Sequence, residues 1–399
     1  MPFAATTPPR TLSLVVFTAL ATLSLNMFVP SLANMALDFE ADYALLALAI
    51  AGYLAVTAVL MLILGPLSDR YGRRPILLVA FSIFTVASIV CAVTTNVWVF
   101  LLFRVFQGAA IAGWGISLAV VRDTSAPQDA AKRISLITMA MSVAPMLGPM
   151  VGGGLDELFG WRASFVAYAL FGAGALLLCW VDMGETNKNR SENFSQQFRS
   201  YPDLLKNGRY WDYTICMAFS TGCFYIFITG APVVAMTLLG LSPAMLGVYM
   251  GTITVGFTFS TFLSSRLTQH VSLTNLILAG RVIAVAGPLI SLVFFLTGMG
   301  NAYALFGPLI LIGVGNGLTM PSANTGALSV RPDLAGSALG LAGALTVGGG
   351  AALTTITGAL VSAESGAVPL LAILLAATLI SLAAALHLKW LTHRGDHGG

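Results

Sequence analysis

Twelve runs of about 20 apolar residues divide this chain, and as helices each would cross the roughly 30 Å hydrocarbon layer of a bilayer. They lie near 12–33, 43–64, 76–95, 98–121, 134–155 and 163–182, then near 211–237, 243–265, 273–297, 302–322, 336–360 and 367–390. Inside a membrane the backbone must satisfy its own N–H and C=O groups, and continuous apolar runs do so as helices. With 57% hydrophobic and only 9% charged residues, against about 25% charged in soluble domains, most of the exterior must face lipid. The expected fold is an all-α integral membrane protein with twelve transmembrane helices in two six-helix bundles. The bundles span 1-182 and 211-399. A polar linker at 183-210 joins them and carries a short surface helix near Tyr201 to Lys206.

Charge gives the orientation. Of the 19 Lys and Arg residues, Arg104 and Arg281 fall inside spans and Arg162 stands alone on the outer loops, while the rest occupy alternate segments that include both ends of the chain. Short loops rich in Lys and Arg stay in the cytoplasm. Both termini are therefore expected there, with the protein in a bacterial-type inner (plasma) membrane. The first run is too long for the apolar core of a secretory signal and is expected to persist as an uncleaved helix. The basic residues are scattered over loops, so a net charge of +3 marks no nucleic-acid surface. Cys91, Cys179, Cys216 and Cys223 sit inside apolar stretches, in neither a disulfide framework nor a metal-ligand spacing. His270, His387, His393 and His397 lie at inner ends or in the tail. No nucleophile–base set or phosphate-binding loop accompanies them, so neither an enzyme nor a cofactor or metal is expected.

The loop between the second and third runs reads Gly65-Pro66-Leu67-Ser68-Asp69-Arg70-Tyr71-Gly72-Arg73-Arg74-Pro75. It is too short for anything but a tight hairpin. It resembles the signature loop of the major facilitator superfamily, G-x-L-x-D-R-x-G-R-R, at every signature position. The resemblance implies a conformational latch on the cytoplasmic side, in which Gly65 and Gly72 permit close helix contact and Asp69 accepts from helix N–H groups or an arginine. Arg70, Arg73 and Arg74 either join that latch or only enforce topology. A fainter echo, Leu263-Ser264-Ser265-Arg266 after the eighth run, falls where two parallel halves would place it.

The fourth run contains Arg104-Val105-Phe106-Gln107-Gly108. A guanidinium about 9 Å inside a span is costly and turns toward a bundle interior or a cavity. At about 100° per residue, Gln107, Ile111, Trp114 and Leu118 share its face. The pattern is similar to the superfamily's second signature, R-x-x-Q-G. Asp123 closes this run near the inner surface, where Arg70 or Arg74 is the expected partner. The fifth run, Ala144-Pro145-Met146-Leu147-Gly148-Pro149-Met150-Val151-Gly152-Gly153, resembles the antiporter motif G-x-x-x-G-P-x-x-G-G, with Ala144 in place of the first glycine. Small residues there allow close helix packing, and Pro149 removes a helix hydrogen bond.

These motifs, with Gly160-Trp161-Arg162-Ala163-Ser164-Phe165, resemble the twelve-span drug:proton antiporters of the bicyclomycin and chloramphenicol resistance group. One position departs. Where that group carries an acid in D-M-Y-L-P, this chain has Asn26-Met27-Phe28-Val29-Pro30, and asparagine cannot titrate. No acid falls mid-span; Asp123, Asp182 and Asp212 lie near inner ends. The resemblance implies a monomeric exporter of small amphipathic compounds by alternating access, with protons as coupling ion. The missing acid favours instead an uncoupled facilitator, or a carrier of anionic or zwitterionic metabolites drawn by Arg104. Asn26 and Arg104 are expected at similar depth, facing each other. Tyr53, Phe224, Tyr225, Tyr249, Asn316, Met320 and Asn324 are candidate cavity residues, and Arg281 is expected to snorkel to the inner interface.

Overall fold

The computed structural model describes residues 8–187, 201–268, 270–331 and 334–396. Much of the linker, including Lys188, Arg190 and Arg199, lies outside them. The described chain is helical throughout, in the order α1 (Thr11–Asp38), α2 (Tyr43–Tyr71), α3 (Arg73–Val93), α4 (Val97–Thr124), α5 (Pro127–Phe159), α6 (Arg162–Asp182), α7 (Gly208–Leu238), α8 (Pro243–Leu267), α9 (Leu273–Leu296), α10 (Ala302–Val330), α11 (Ala335–Leu360) and α12 (Val368–Asp396). The surface helix expected before α7 is present at Tyr201–Leu205.

Local chemistry sets the boundaries. Gly72, at φ +103°, and Gly160, at φ +80°, break α2 from α3 and α5 from α6 in backbone conformations that side chains disfavour. The first turns of α4, α7, α8, α9 and α10 are capped by polar side chains. Asn96 Oδ1 accepts from Trp98 N at 2.8 Å, Asn301 Oδ1 from Ala304 N at 2.9 Å, and Ser242 Oγ from Met245 N at 3.3 Å. The echo after the eighth run is structural. Ser68 and Ser264 are both buried, and their carbonyls accept the closing N–H bonds of Gly72 and Thr268 at 3.0 Å each.

In the first half α1 packs on α4 and α5, and α3 on α6. An aromatic cluster of Phe28, Phe39, Phe100, Trp161, Phe165 and Tyr168 fills the end that carries the acidic loops. In the second half α10 packs on α8 and α9 through glycines, and α7 packs on α11 and α12. The halves meet where α2 lies along α11 and α5 along α8. Large apolar side chains such as Leu170, Leu177, Val282 and Leu296 stay exposed on α6 and α9. In water they would be a liability; against lipid they are the expected surface.

Three helices are irregular. α1 passes through a 3-10 turn at Val29–Ser31, α4 through one at Gly108–Ile111, and α7 ends in a π-turn at Val234–Leu238. A 3-10 helix turns about 120° per residue rather than 100°, so the four residues of the turn in α4 advance Trp114 and Leu118 by roughly 80° about the axis, which brings Trp114 into line with Arg104.

Candidate functional site

The molecule has an acid-rich end, with the loops holding Asp38, Glu40, Asp42, Asp156, Glu157 and Glu364, and a basic end, where the Gly65–Pro75 segment is not the expected loop but the last turns of α2 and the first of α3 with Gly72 alone between them. At the acid-rich end the halves are joined backbone to backbone. A Cβ on Gly153 would overlap the carbonyl of Pro243 and one on Gly247 the carbonyl of Pro149, while within the first half one on Gly152 would overlap the carbonyl of Met27. Tyr43 Oη donates to the Thr229 carbonyl at 2.5 Å, and Ala244 N donates to Glu157 Oε2 at 3.4 Å. Gly148 differs from its neighbours in the motif, since a Cβ there would meet Asn26 Cβ and Met27 N at an ordinary 3.5 Å. Arg162, the basic residue of these loops, bridges Asp38 at 2.6 Å and lies over the Trp161 ring at 4.2 Å.

Arg104 lies in the first half with no exposed surface. Its guanidinium carbon is 4.2 Å from the ring centre of Phe28, 5.1 Å from Tyr53 and 5.8 Å from Phe165. Nη1 donates to the Ser24 carbonyl at 3.2 Å and to Gln107 Oε1, while Gln107 Nε2 donates to Ser88 Oγ at 2.7 Å. Tyr53 Oη shares a 2.7 Å bond with Ser24 Oγ. Nε and Nη2 of Arg104 have no hydrogen-bond partner among the described residues. A buried cation without a carboxylate thus rests on three π faces and two dipoles. Asn26, expected to face Arg104, makes no hydrogen bond to it: its Nδ2 donates to the Thr22 carbonyl at 2.8 Å, and its Oδ1 has no partner among the described residues. Phe28 and Phe165 were missed, because no periodicity links two aromatics on α1 and α6 to a charge on α4.

The second half repeats the device with other residues. Arg281 does not snorkel: it is fully buried, with Nε donating to Thr319 Oγ1 at 2.9 Å and Nη2 to Asn316 Oδ1 at 2.8 Å. The reason is local, since Gly280 brings α9 against the backbone of Gly315 and turns the next side chain inward. Asn316 Nδ2 then donates to the Ser220 carbonyl at 2.8 Å. In both halves an arginine holds an amide oxygen, and the amide is followed by a tightly packed glycine, Gly108 or Gly317. Of the other candidates, Tyr225 packs on Gly350, Phe224 lies 6.0 Å from Tyr225 by ring centres, and Tyr249 stacks on Phe306 at 4.8 Å. Trp114, Met320 and Asn324 are half-buried.

At the basic end Arg73, not Arg70 or Arg74, pairs with Asp123. Arg73 Nε lies 3.1 Å from Asp123 Oδ2, and Nη1 lies 2.5 Å from Asp69 Oδ1. Gly72 turns the chain so that the first side chain of α3 points back under α2, which is why Arg73 becomes the buried hub. Arg70 lies over Tyr71 at 5.5 Å, and Arg74 over Trp180 at 5.4 Å, donating to its carbonyl at 2.9 Å. Glu185, at the start of the linker, was missed. Its carboxylate accepts from Arg73 N at 3.0 Å and Arg74 N at 3.3 Å, at the positive N-terminus of α3. Asn187 Nδ2 donates to the Asp69 carbonyl at 2.6 Å. The linker's first turn is therefore bonded to the hairpin.

The model of the Major Facilitator Superfamily matches residues 14–355. This chain belongs to the major facilitator superfamily. Among its relatives, Multidrug resistance protein D of Escherichia coli (strain K12) is 27% identical over 367 residues, covering 90% of this chain and 91% of that protein. The Chloramphenicol resistance protein of Pseudomonas aeruginosa is 27% identical over 323 residues, with 80% of this chain and 77% of that protein covered. Among solved structures, a D-xylose-proton symporter superposes with a TM-score of 0.75 at 15% identity, over 95% of this chain and 96% of that one. That likeness establishes the fold. The facilitator is thus a twelve-helix membrane transporter of small molecules, and not an enzyme.

Proposed function

We propose that this facilitator is a secondary active transporter that exports small amphipathic compounds, including drugs, by proton antiport and alternating access. The observation that carries the reading is the conjunction of the α5–α8 glycine seal at the acid-rich end with relatives named for chloramphenicol and multidrug resistance. The seal is one gate, closed. The hairpin network at the basic end is the other, with Gly65, Asp69, Arg70, Gly72, Arg73, Arg74 and Asp123 as its moving parts and Glu185 tying it to the linker. Bundles 1-182 and 211-399 rock against each other about the fixed site between them. Asn26, Tyr53, Arg104, Gln107, Trp114, Phe224, Tyr225, Tyr249, Asn316 and Asn324 face the compound or support the residues that do. The basic end lies in the cytoplasm of an inner membrane, and one chain encloses its own pathway.

A second reading has its own support. Asn26 cannot carry a proton, and Arg104 and Arg281 leave the interior with two cations that no described carboxylate contacts. A facilitator of anionic or zwitterionic metabolites would use that charge. Purified protein in liposomes, tested with labelled chloramphenicol, ethidium and organic anions with and without a pH gradient, separates the two. Gradient-driven accumulation of the drugs supports antiport. Equilibration of anions, indifferent to the gradient, supports the facilitator.

A further inference from the structure

Two carboxylates among the described residues are buried, Asp156 and Asp212. Asp156 lies at the sealed end and accepts from Asn34 Nδ2 at 2.7 Å. Asp212 is different: it stands on the first turns of α7, at the basic end, against a histidine. His387 Nδ1 of α12 lies 3.0 Å from each of its oxygens. The carboxylate side chain keeps 9% of its surface, whereas the imidazole keeps 54% and stacks on Trp390 at 5.7 Å. One end of the pair is thus dry and the other open to the surroundings.

From Asp212 a polar line runs inward along one face of α7, at the four-residue spacing that aligns side chains on a helix. Cys216 Sγ contacts the Ser381 carbonyl at 3.6 Å, and Ser381 Oγ donates to the Cys216 carbonyl at 3.4 Å. Ser220 Oγ donates to that same carbonyl at 2.5 Å. The Ser220 carbonyl accepts from Asn316, which Arg281 holds from behind. Further along α7, Thr229 accepts the Tyr43 hydroxyl across the sealed end. The buried pair, the buried cation and a bond across the gate therefore share one helix.

We infer that Asp212 and His387 form a proton-binding site that biases the gate through α7, supplying in the second half the titrating carboxylate that the first span lacks. Binding one proton takes the pair from a net charge of −1 to 0, and an imidazole is the group whose ordinary range brackets neutral pH. The ionised pair is the nearest anion along the line to Arg281, so its neutralisation changes the field on the residue that holds Asn316. The other charged or titratable groups near the pair are Arg209, which donates to the Leu391 carbonyl at 3.4 Å, Tyr210, which donates to the Ala338 carbonyl at 2.8 Å, Tyr213 and Cys216 on α7, and Lys389 on α12. The short helix before α7 adds Tyr201 and Asp203, with Lys206 just beyond it; α9 adds Arg281, while α10 and α11 face the pair with no titratable side chain. None of the salt bridges among the described residues gives Asp212 a partner other than His387.

The inference rests on the proton-antiport reading, and its test is independent of any substrate. Leu37 and Leu238, 79% and 49% exposed at the ends of α1 and α7, take spin labels in a background that replaces Cys91, Cys179 and Cys223 but keeps the fully buried Cys216, and the distance between them is read from pH 5.5 to 8.5 in lipid nanodiscs. In the unsubstituted pair the balance of closed and open distances should shift about tenfold over that range. His387→Gln and Asp212→Asn should each abolish the shift; His387→Gln, at a half-exposed position, guards against a misfolded Asp212→Asn. An unchanged shift in His387→Gln would place the proton elsewhere and overturn the inference. No shift in the parent would overturn it too. A shift that both variants lose, in a protein that shows no gradient-driven transport, would sustain the proton site and remove antiport.

Discussion

The carbonyl of Met27 occupies the space that a side chain on Gly152 would need. That contact makes α5 and the 3-10 turn of α1 a single wall at the acid-rich end, and it separates the glycines of the motif by consequence. Gly152→Ala should cost about 1–3 kcal/mol through overpacking against backbone that cannot step aside. Gly148→Ala, where the added methyl meets only ordinary contacts, should stay within about 0.5 kcal/mol. Thermal unfolding of the two purified variants checks the split, and equal losses would mean that the packing of α5 on α1 does not depend on that approach.

Arg73 should dominate the basic hairpin. Arg73→Ala removes the partner of both Asp69 and Asp123 and should cost about 2–3 kcal/mol, below the 3–5 typical of fully buried pairs because the two acids are partly solvated. Arg70→Ala, lacking a carboxylate contact among the described residues, should cost under about 0.5 kcal/mol. A double-mutant cycle of Arg73→Ala with Asp123→Asn should return a coupling of about 1 kcal/mol or more.

Glu185→Ala should loosen the linker from the hairpin. Two backbone N–H groups at the start of α3 lose their acceptor, at about 1 kcal/mol. Hydrogen exchange at Arg73 and Arg74 should speed up about fivefold while the amides of α5 keep their protection. Uniform acceleration across the protein would point to general destabilisation instead.

Arg104→Met offers a separation of stability from transport. A lone buried cation is costly, and replacing it with an apolar side chain of similar reach should leave the unfolding temperature equal or higher. Transport should fall at least tenfold under the proposed role. Unimpaired transport in a folded Arg104→Met protein would return Arg104 to a purely structural part.

The fold was legible because it rests on run length, charge asymmetry and one signature loop, all local properties of the chain. Asp69, Arg73 and the paired glycines were legible for the same reason. Arg281 was misread because depth along a span does not say which way a side chain turns, and Gly280 decides that by drawing α9 onto α10. Asp123 was joined to the wrong arginine because the positive φ of Gly72 rotates the hairpin after Arg70. The Asp212–His387 pair and Glu185 were out of reach for a plainer reason: their partners lie 175 and 112 positions away along the chain.

The aromatic box around Arg104 has a consequence for how the protein is made. Its walls come from α1, α2 and α6, while the charge arrives with α4. During synthesis the guanidinium enters the bilayer before Phe165 has left the ribosome, with the last face of its enclosure still unwritten. A nascent chain halted between α4 and α6 would hold Arg104 with Phe28 and Tyr53 but without Phe165, one face short of its folded enclosure.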